Sequence, residues 1–238
     1  QETISYLKNR DEKKPFFLFL AYNAPHFGKG WDDGNDKSIN LLQPHPRDLE
    51  KVKYIQDPAR RKYAAMVVAL DDGIGKVLDY LDDAGIADNT LVIFMSDHGG
   101  DPNFGGNNGS LRAGKATLFE GGIKVPCIVR WPGKIKPNVE SNTLAWALDW
   151  FPTLASIAGA STRGVLLDGQ NIREALSGVT RTVEKEMYWE LGSHAELERG
   201  HWIAYRRNQW KYVNTPKDGE WLFNLDLDPA ENFNLKAK

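Results

Sequence analysis

The 238 residues are 41% hydrophobic and 26% charged, the balance of an ordinary globular protein, and they suffice for one large domain or one domain with a small appendage. A formal net charge of −2 provides no basic field for nucleic acid or an anionic membrane, and no apolar run is long enough to cross a bilayer. The single cysteine, Cys127, excludes an internal disulfide.

The first sixty residues predict a helix end, a strand and a long loop. Gln1–Lys14 is charged and polar, which is typical of the end of an amphipathic helix and not of a signal peptide. Phe16–Tyr22, with the sequence FFLFLAY, is apolar on both faces and predicts a buried strand of a mostly parallel sheet. Phe27–Pro58 is rich in Gly, Asp, Asn and Pro, which predicts a surface excursion.

The middle of the chain alternates helix and strand, which predicts an α/β fold. Apolar residues recur at helical spacing from Ala59 to Ala84, and Gly85 is expected to end that helix. Thr90–Met95 and Val125–Trp131 predict two further buried strands, and Leu144–Ala158 predicts a second helix.

The last sixty residues predict a small antiparallel sheet. Short aromatic segments separated by turns are its four predicted strands: Glu186–Glu190, His201–Arg206, Trp210–Asn214 and Trp221–Asn224. Their tryptophans are expected in the core of the sheet: Trp189, Trp202, Trp210 and Trp221. The predicted organisation is therefore a large α/β part, residues 1–180, and a small β subdomain, residues 181–238.

Asp97 and His98 are the first candidates for chemistry, because they follow the second predicted strand, where open α/β sheets bind ligands. The two adjacent side chains can bind one cation if the turn splays both toward it, and Gly99 and Gly100 permit such a turn. Alternatively, Asp97 caps the turn through backbone amides. Two ligands alone are too few, since Ca²⁺ takes six to eight oxygens.

Lys115 and His26 are further candidates. Lys115 follows Gly114 in a loop rich in backbone amides and can act as a point charge for a tetrahedral anion, although a solvated surface lysine is the commoner case. His26 follows Pro25 at the end of the first predicted strand. It can protonate a leaving group near neutral pH or merely cap the strand end.

Other reactive or modifiable residues favour structural roles. Cys127 lies in an apolar strand and is expected to be a buried, inert thiol. Asn108-Gly109-Ser110 is a glycosylation sequon, a pattern that often occurs by chance. His45, His194 and His201 show no partner pattern.

Taken in order, long segments of the chain resemble the sulfatase family of the alkaline-phosphatase superfamily. SDHGG and GK…FEGG…VP…RWPG are specific motifs, and the resemblance spans nearly the whole chain. The segments that carry it are KPFFLFLAYNAPH (Lys14–His26), the helix, strand and turn of Tyr63–Gly100, LRAGKATLFEGGIKVPCIVRWPG (Leu111–Gly133), and RRNQWKYV and WLFNLDLDPAENFNL near the end.

The resemblance implies an alkaline-phosphatase-like sheet flanked by helices, and a role for each candidate. Asp97 and His98 match the family's metal pair, with Ca²⁺ as the expected metal, although a histidine ligand suits Zn²⁺ or Mn²⁺ as well. Lys115 matches the lysine that contacts the sulfate, and His26 matches the histidine near the bridging oxygen, a candidate acid for the leaving alcohol. Such chemistry needs positive charge on the nonbridging oxygens and a proton for the departing oxygen.

The family's nucleophile, a formylglycine made from Cys or Ser in a C-x-P-S-R motif, is not encoded here. Cys127 is followed by Ile-Val-Arg, and the family's early Asp-Asp pair and its G-K-W-H-L-G segment are absent as well. These features lie before the position of Gln1 in the family. We therefore expect a C-terminal sulfatase fragment that is inactive and poorly stable without its own N-terminal segment.

Joined to that segment, the chain is expected to hydrolyse organic sulfate esters, with sulfated sugars favoured. Two alternatives stay open: a phosphoesterase of the same superfamily, and a non-catalytic homologue that binds sulfated glycans. The resemblance favours a periplasmic or extracellular location, and neither nucleic acid nor a membrane is an expected partner.

Overall fold

The computed structural model describes residues 1–178, 184–192 and 200–236, which divide between two compact units. The first unit comprises Gln1–Thr90 and Gly100–Asn108, and the second comprises Leu91–Gly99 and Gly109–Lys238. The elements, in chain order, are α1 (Glu2–Asn9), β1 (Gly28–Asp32), β2 (Lys37–Leu41), α2 (Pro46–Lys51), α3 (Pro58–Asp83), β3 (Val92–Met95), α4 (Glu120–Ile123), β4 (Cys127–Arg130), α5 (Trp150–Ile157), β5 (Glu186–Leu191), β6 (Trp202–Arg207), β7 (Trp210–Thr215) and β8 (Gly219–Asn224), with short 3₁₀ turns at Ala87–Asn89, Pro102–Phe104, Ala147–Asp149 and Ala175–Ser177.

The long helix α3 of the first unit confirms the prediction over Ala59–Ala84 to within one residue. Asp57 begins it, because its carboxylate accepts a hydrogen bond from the amide of Arg60 at 2.6 Å and Pro58 occupies the first helical position. Gly85 ends it with φ +65°, a left-handed conformation that glycine adopts at little cost.

The apolar segment Phe16–Tyr22 does not form the predicted buried strand. Its backbone has no regular structure, and the side chains of Phe17 and Phe19 are 76% and 82% exposed. A run that is apolar on both faces is buried only between neighbouring strands or helices. No strand within the described residues pairs with it, so both of its faces remain accessible.

The predicted surface excursion over Phe27–Pro58 contains regular structure. Strands β1 and β2 form an antiparallel hairpin, and helix α2 follows. The turn between the strands is held by Asp32, whose carboxylate accepts hydrogen bonds from Gly34 N and Asn35 Nδ2 at 3.1 and 2.7 Å. The polar residues that suggested a loop therefore build a tight turn.

Strands β3 and β4 of the second unit occur where two buried strands were predicted, but they pair antiparallel, from Val92 opposite Arg130 to Met95 opposite Cys127. All strand pairs in residues 1–178, 184–192 and 200–236 are antiparallel, so the expected parallel sheet is not seen there. Between β3 and β4 the chain forms a 3₁₀ turn at Pro102–Phe104 and the four-residue helix α4, whereas a parallel crossover usually runs through a full helix. Cys127 is exposed, so the prediction of a buried thiol is wrong.

The C-terminal sheet is confirmed, with antiparallel strands in the order β5–β6–β7–β8. Ala204, Val213 and Phe223 are fully buried on one face, against Leu118 and Phe119. Three of the four tryptophans pack against this cluster as expected: Trp189, Trp202 and Trp221. The fourth was predicted wrongly, because Trp210 lies on the opposite face and is 44% exposed.

The remaining predictions have mixed outcomes. The helix predicted over Leu144–Ala158 is shorter, with a 3₁₀ turn followed by α5. The predicted boundary between residues 180 and 181 lies outside the described residues, so the division into two domains stays a prediction. His194 also lies outside the described residues. No helix in the described part of the chain is long and apolar enough to cross a membrane.

Candidate active site

The turn after β3 brings a carboxylate oxygen and an imidazole nitrogen together. Asp97 Oδ2 lies 3.3 Å from His98 Nε2, while Asp97 Oδ1 accepts a hydrogen bond from His98 N at 3.0 Å. His98 Nδ1 lies 2.8 Å from the carbonyl oxygen of Gly99. Because a carbonyl only accepts, Nδ1 carries the hydrogen, and Nε2 of the neutral ring presents its lone pair on the side of Asp97.

Asp97 and His98 fit part of a metal site. Ligands at right angles around a cation at Ca²⁺-like distances lie roughly 3.3 to 3.7 Å apart, which matches the Asp97–His98 separation. The bond from His98 Nδ1 to a backbone carbonyl is the outer-shell contact that usually orients a metal-binding histidine. The described residues contain no cluster of three or more His, Cys, Asp or Glu, so these two side chains would supply only part of a ligand set.

The Asp97–His98 turn packs directly on helix α4. Gly99 N donates to Gly122 O at 2.9 Å. A Cβ atom on Gly99 would lie 1.8 Å from Gly121 O, a distance that no side chain tolerates. Gly99 is therefore required for close approach to α4, and not only for turning the chain.

Lys115 lies in a tight loop of the second unit and is partly buried. The amide and hydroxyl of Thr117 both donate to Gly114 O, at 3.2 and 2.7 Å. Ala113 and Ala116, on either side, have φ values of +59° and +62°. A left-handed alanine costs about 1–2 kcal/mol, so the surrounding contacts must hold this backbone shape.

The loop that carries Lys115, residues 112–121, is called the lysine loop below, and the Asp97–His98 turn is called the metal turn. Both contact the same short helix, α4. Gly121 N donates to Arg112 O at 2.9 Å, which joins the two ends of the loop. Gly122, the next residue, accepts the hydrogen bond from Gly99. Helix α4 therefore supports both the Asp97–His98 turn and the loop that carries Lys115.

His26 lies in the first unit, after a cis peptide bond between Ala24 and Pro25. Its amide donates to Asn23 O at 2.8 Å, and its Nδ1 lies 2.7 Å from Phe27 O. As for His98, a carbonyl partner requires the hydrogen on Nδ1, so Nε2 is the nitrogen that exchanges a proton with a ligand. The ring is exposed and rests on Phe27, which stacks on Phe104.

The sequon asparagine has a structural role. Asn108 Oδ1 accepts from Gly100 N at 2.7 Å, and its Nδ2 donates to Gly100 O at 3.0 Å. The side-chain amide thus pairs with the backbone as a neighbouring strand would, and it closes the loop that follows the metal turn.

Sequence reasoning missed a buried charge network beside α4. Lys211 Nζ lies 2.8 Å from both Glu120 Oε1 and Glu231 Oε1, and Lys211 and Glu231 are fully buried. Glu231 Oε2 also accepts from the backbone amide of Glu120 at 2.6 Å. Strict alternation along β7 would have revealed the lysine: with Val213 inside, Lys211 is inside and Trp210 is outside.

Comparison with known proteins defines the family. The sulfatase family model matches residues 1–160, and a second model, the C-terminal part of N-sulphoglucosamine sulphohydrolase, matches residues 113–238. The chain belongs to the sulfatase family.

Its relatives include hydrolases of sulfate esters from bacteria and animals. A sulfatase of Formosa agariphila is 34% identical and covers 99% of this chain, which spans 44% of that protein. Human N-acetylgalactosamine-6-sulfatase is 33% identical over 98% of this chain and is matched over 41% of its own length. The crystal structure of Ps i-CgsB in complex with k-i-k-neocarrahexaose superposes with a TM-score of 0.85 at 32% identity, covering 99% of this chain and 49% of that one. The chain thus spans about half the length of its relatives.

Proposed function

We propose that the whole protein carrying this chain is a sulfatase that hydrolyses organic sulfate esters. The observation that carries the proposal is the shared support of the Asp97–His98 turn and the Lys115 loop on helix α4, in a chain of the sulfatase family. Two metal-capable side chains and a lysine that can bind an anion, held on one support, suit a tetrahedral, singly substituted anion such as a sulfate monoester.

Each residue has a distinct role in this proposal. Lys115 places its ammonium group on a nonbridging sulfate oxygen and offsets the charge there as the ester bond breaks. His26, with Nδ1 donating to Phe27 O, gives its Nε2 proton to the departing alcohol. Asp97 and His98 hold the metal, and the hydrogen bond to Gly99 O keeps the histidine in the ligating tautomer.

Two groups come from outside the 238 residues in this proposal. The divalent cation, Ca²⁺, supplies positive charge to the sulfate when it is bound. The formylglycine nucleophile belongs to the family's C-x-P-S-R motif, which this sequence does not contain. We therefore propose that activity needs the N-terminal segment of the whole protein.

The substrate class in this proposal is a sulfated sugar. One relative is named for N-acetylgalactosamine 6-sulfate, and a similar structure holds a neocarrahexaose. We also propose a periplasmic or extracellular location for the whole protein, as the resemblance to sulfatases favours.

The test is hydrolysis by the whole protein in the presence of Ca²⁺. We expect sulfate release from 4-nitrophenyl sulfate and from at least one sugar sulfate, with 4-nitrophenyl phosphate cleaved far more slowly. Preferential phosphate release would make the protein a phosphoesterase. Tight binding of sulfated glycans without any product would make it a binding protein, and either result would overturn the proposal.

A further inference from the structure

We propose that Glu231 is a positioning residue whose carboxylate, through the backbone amide of Glu120, fixes the metal turn and the lysine loop together. The network of Glu120, Lys211 and Glu231 is buried and charged. It contacts the lysine loop directly and is joined to the metal turn through Gly121 and Gly122. The inference rests on the proposed function only for its activity readout.

Glu231 contacts the first turn of α4. The amide of Glu120 belongs to the first turn of α4, where backbone N–H groups have no partner within the helix. Glu231 Oε2 accepts from this amide at 2.6 Å, in a fully buried environment. A carboxylate there satisfies the amide and fixes where α4 begins.

Glu231 also contacts the start of the lysine loop. Arg112, at the start of that loop, donates from Nη1 to the backbone oxygen of Glu231 at 3.0 Å. Its guanidinium also lies over the rings of Phe119 and Trp221, 4.5 and 4.3 Å from their centroids. Glu231 therefore contacts both ends of the loop, one through its carboxylate and the other through its backbone, with Lys115 between them.

The metal turn packs against the residues that follow Glu120. Gly121 and Gly122 follow directly on Glu120, and they form the surface against which Gly99 packs without room for a Cβ atom. A shift of α4 by a fraction of an ångström is therefore transmitted to His98 and Asp97. Interiors packed this closely pass on such displacements because no void absorbs them.

The role of Lys211 is to make the carboxylates tolerable in the interior. Its ammonium bridges Glu120 and Glu231, and Arg206 lies 3.7 Å from the second oxygen of Glu120. Glu231 itself has φ +55°, a strained backbone conformation for a glutamate, so the surrounding contacts must hold this residue in place. Apolar side chains of similar volume often stabilise an interior as much as buried charges do. Stability alone therefore does not explain the network, which points to a role in positioning α4.

The chain offers a matched control in the same unit. Lys185 and Asp149 form a second buried ion pair, and Asp149 also accepts from Gln170 N at 2.8 Å. Lys185 directly precedes β5 and Asp149 directly precedes α5, and neither segment carries any of the four candidate site residues. Lys185→Met tests the loss of a buried ion pair without a change in the support of the site.

The experiment compares Glu231→Gln with Glu231→Met in the whole protein. Gln keeps an oxygen for the Glu120 amide, whereas Met has similar volume and no acceptor. We expect Glu231→Met to lower kcat on 4-nitrophenyl sulfate about 10- to 100-fold, as outer-shell changes do, with KM changed less than threefold. Glu231→Gln should keep kcat within about threefold of wild type, because the glutamine oxygen still accepts the hydrogen bond from the Glu120 amide.

Amide hydrogen exchange gives a readout that does not depend on turnover. Glu231→Met should accelerate exchange in residues 97–100 and 112–122, whereas Lys185→Met should accelerate it in 144–172 and leave kcat of the folded enzyme unchanged. If Glu231→Met does not fold, the Gln and Met substitutions are compared in the Lys211→Met background, where no unpaired lysine remains.

Wild-type exchange in both site segments of Glu231→Met, or equal losses in the Gln and Met variants, would overturn the inference. A wild-type protein that cleaves no sulfate ester would overturn the proposed function instead, and the exchange data would still decide the role of Glu231.

Discussion

At the scale of single residues, Lys115 is the side chain whose surroundings are most specialised. Two left-handed alanines flank it, and the loop is closed by backbone hydrogen bonds at both ends. Strain of this kind persists only where neighbouring contacts enforce it, and it concentrates at functional sites. The strain around Lys115 therefore supports the role proposed for it.

Replacing Lys115 by alanine should lower kcat/KM for a sulfate ester about 100- to 1,000-fold, the usual cost of removing one donor to a developing anion. Steady-state kinetics on the whole protein measures this effect. Lys124→Ala is the matched control, because Lys124 is an exposed lysine at the end of α4 and should change kcat/KM less than twofold. Equal effects of the two substitutions would remove Lys115 from the site.

His26→Ala should reduce kcat more for esters of poor leaving groups than for 4-nitrophenyl sulfate. A general acid contributes about 100- to 10,000-fold where the departing oxygen needs a proton, and little where the leaving anion is stable. The slope of log kcat against leaving-group pKa should therefore steepen. His201→Ala, at a surface pair with Glu190, should leave that slope unchanged; a parallel line for His26→Ala would contradict its role as the acid.

At the scale of elements, helix α4 has more influence than its four residues suggest. It supports the metal turn and the lysine loop, and the C-terminal sheet contacts it through a buried lysine. The C-terminal sheet is thus joined to the candidate site by charge as well as by apolar packing.

The Glu231 carboxylate makes stability depend on pH in a direction opposite to most acids. Burial raises the pKa of Glu231 above its ordinary value of 4.5, with Lys211 and the amide of Glu120 opposing the rise and the Glu120 charge adding to it. The folded protein then binds this proton more tightly than the unfolded chain does, so stability falls as pH rises from 4.5 through the folded pKa.

The free energy of unfolding of wild type minus that of Glu231→Gln should therefore fall across that interval and level off above it. Urea denaturation of the whole protein at a series of pH values measures it. Arg112 and Arg206 also border the network and keep their charge throughout, so they do not produce the effect. A difference that grows with pH would show that the pairing with Lys211 outweighs burial.

Prediction from sequence succeeded where local patterns determine the structure. The period of α3 and its glycine end are local, and so are the turns between the C-terminal strands. The site residues were proposed from motif order, and the structure places three of them on one support. Lys211 was missed because a lysine in an aromatic strand suggests the outer face. Alternation with Val213 puts it on the inner face, and its two buried carboxylate partners, distant in sequence, explain why a charge is tolerated there.

At the scale of the whole molecule, the exposed apolar segment Phe16–Tyr22 is the largest departure from expectation. Its pattern predicts a strand with neighbours on both sides, and its aromatic side chains are instead accessible. The curated relatives are about twice as long as this chain. We propose that parts of the whole protein outside these 238 residues cover this segment.

The chain alone is therefore expected to cleave no sulfate ester and to bind a hydrophobic dye through Phe17 and Phe19. Co-expression with the rest of the protein should restore turnover and abolish dye binding. Phe17→Ser with Phe19→Ser should weaken that reconstitution, whereas a double change at the exposed Asp82 and Asp83 should not. Turnover by the isolated chain would contradict the account.

The most direct measurement is a crystal structure of the whole protein with Ca²⁺ and product sulfate. We predict a cation about 2.3–2.6 Å from Asp97 Oδ2 and His98 Nε2, with the Lys115 ammonium bound to a sulfate oxygen and His26 facing the oxygen that carried the alcohol. A cation and sulfate bound elsewhere, with Asp97, His98 and Lys115 in solvent, would contradict the assignment of this site.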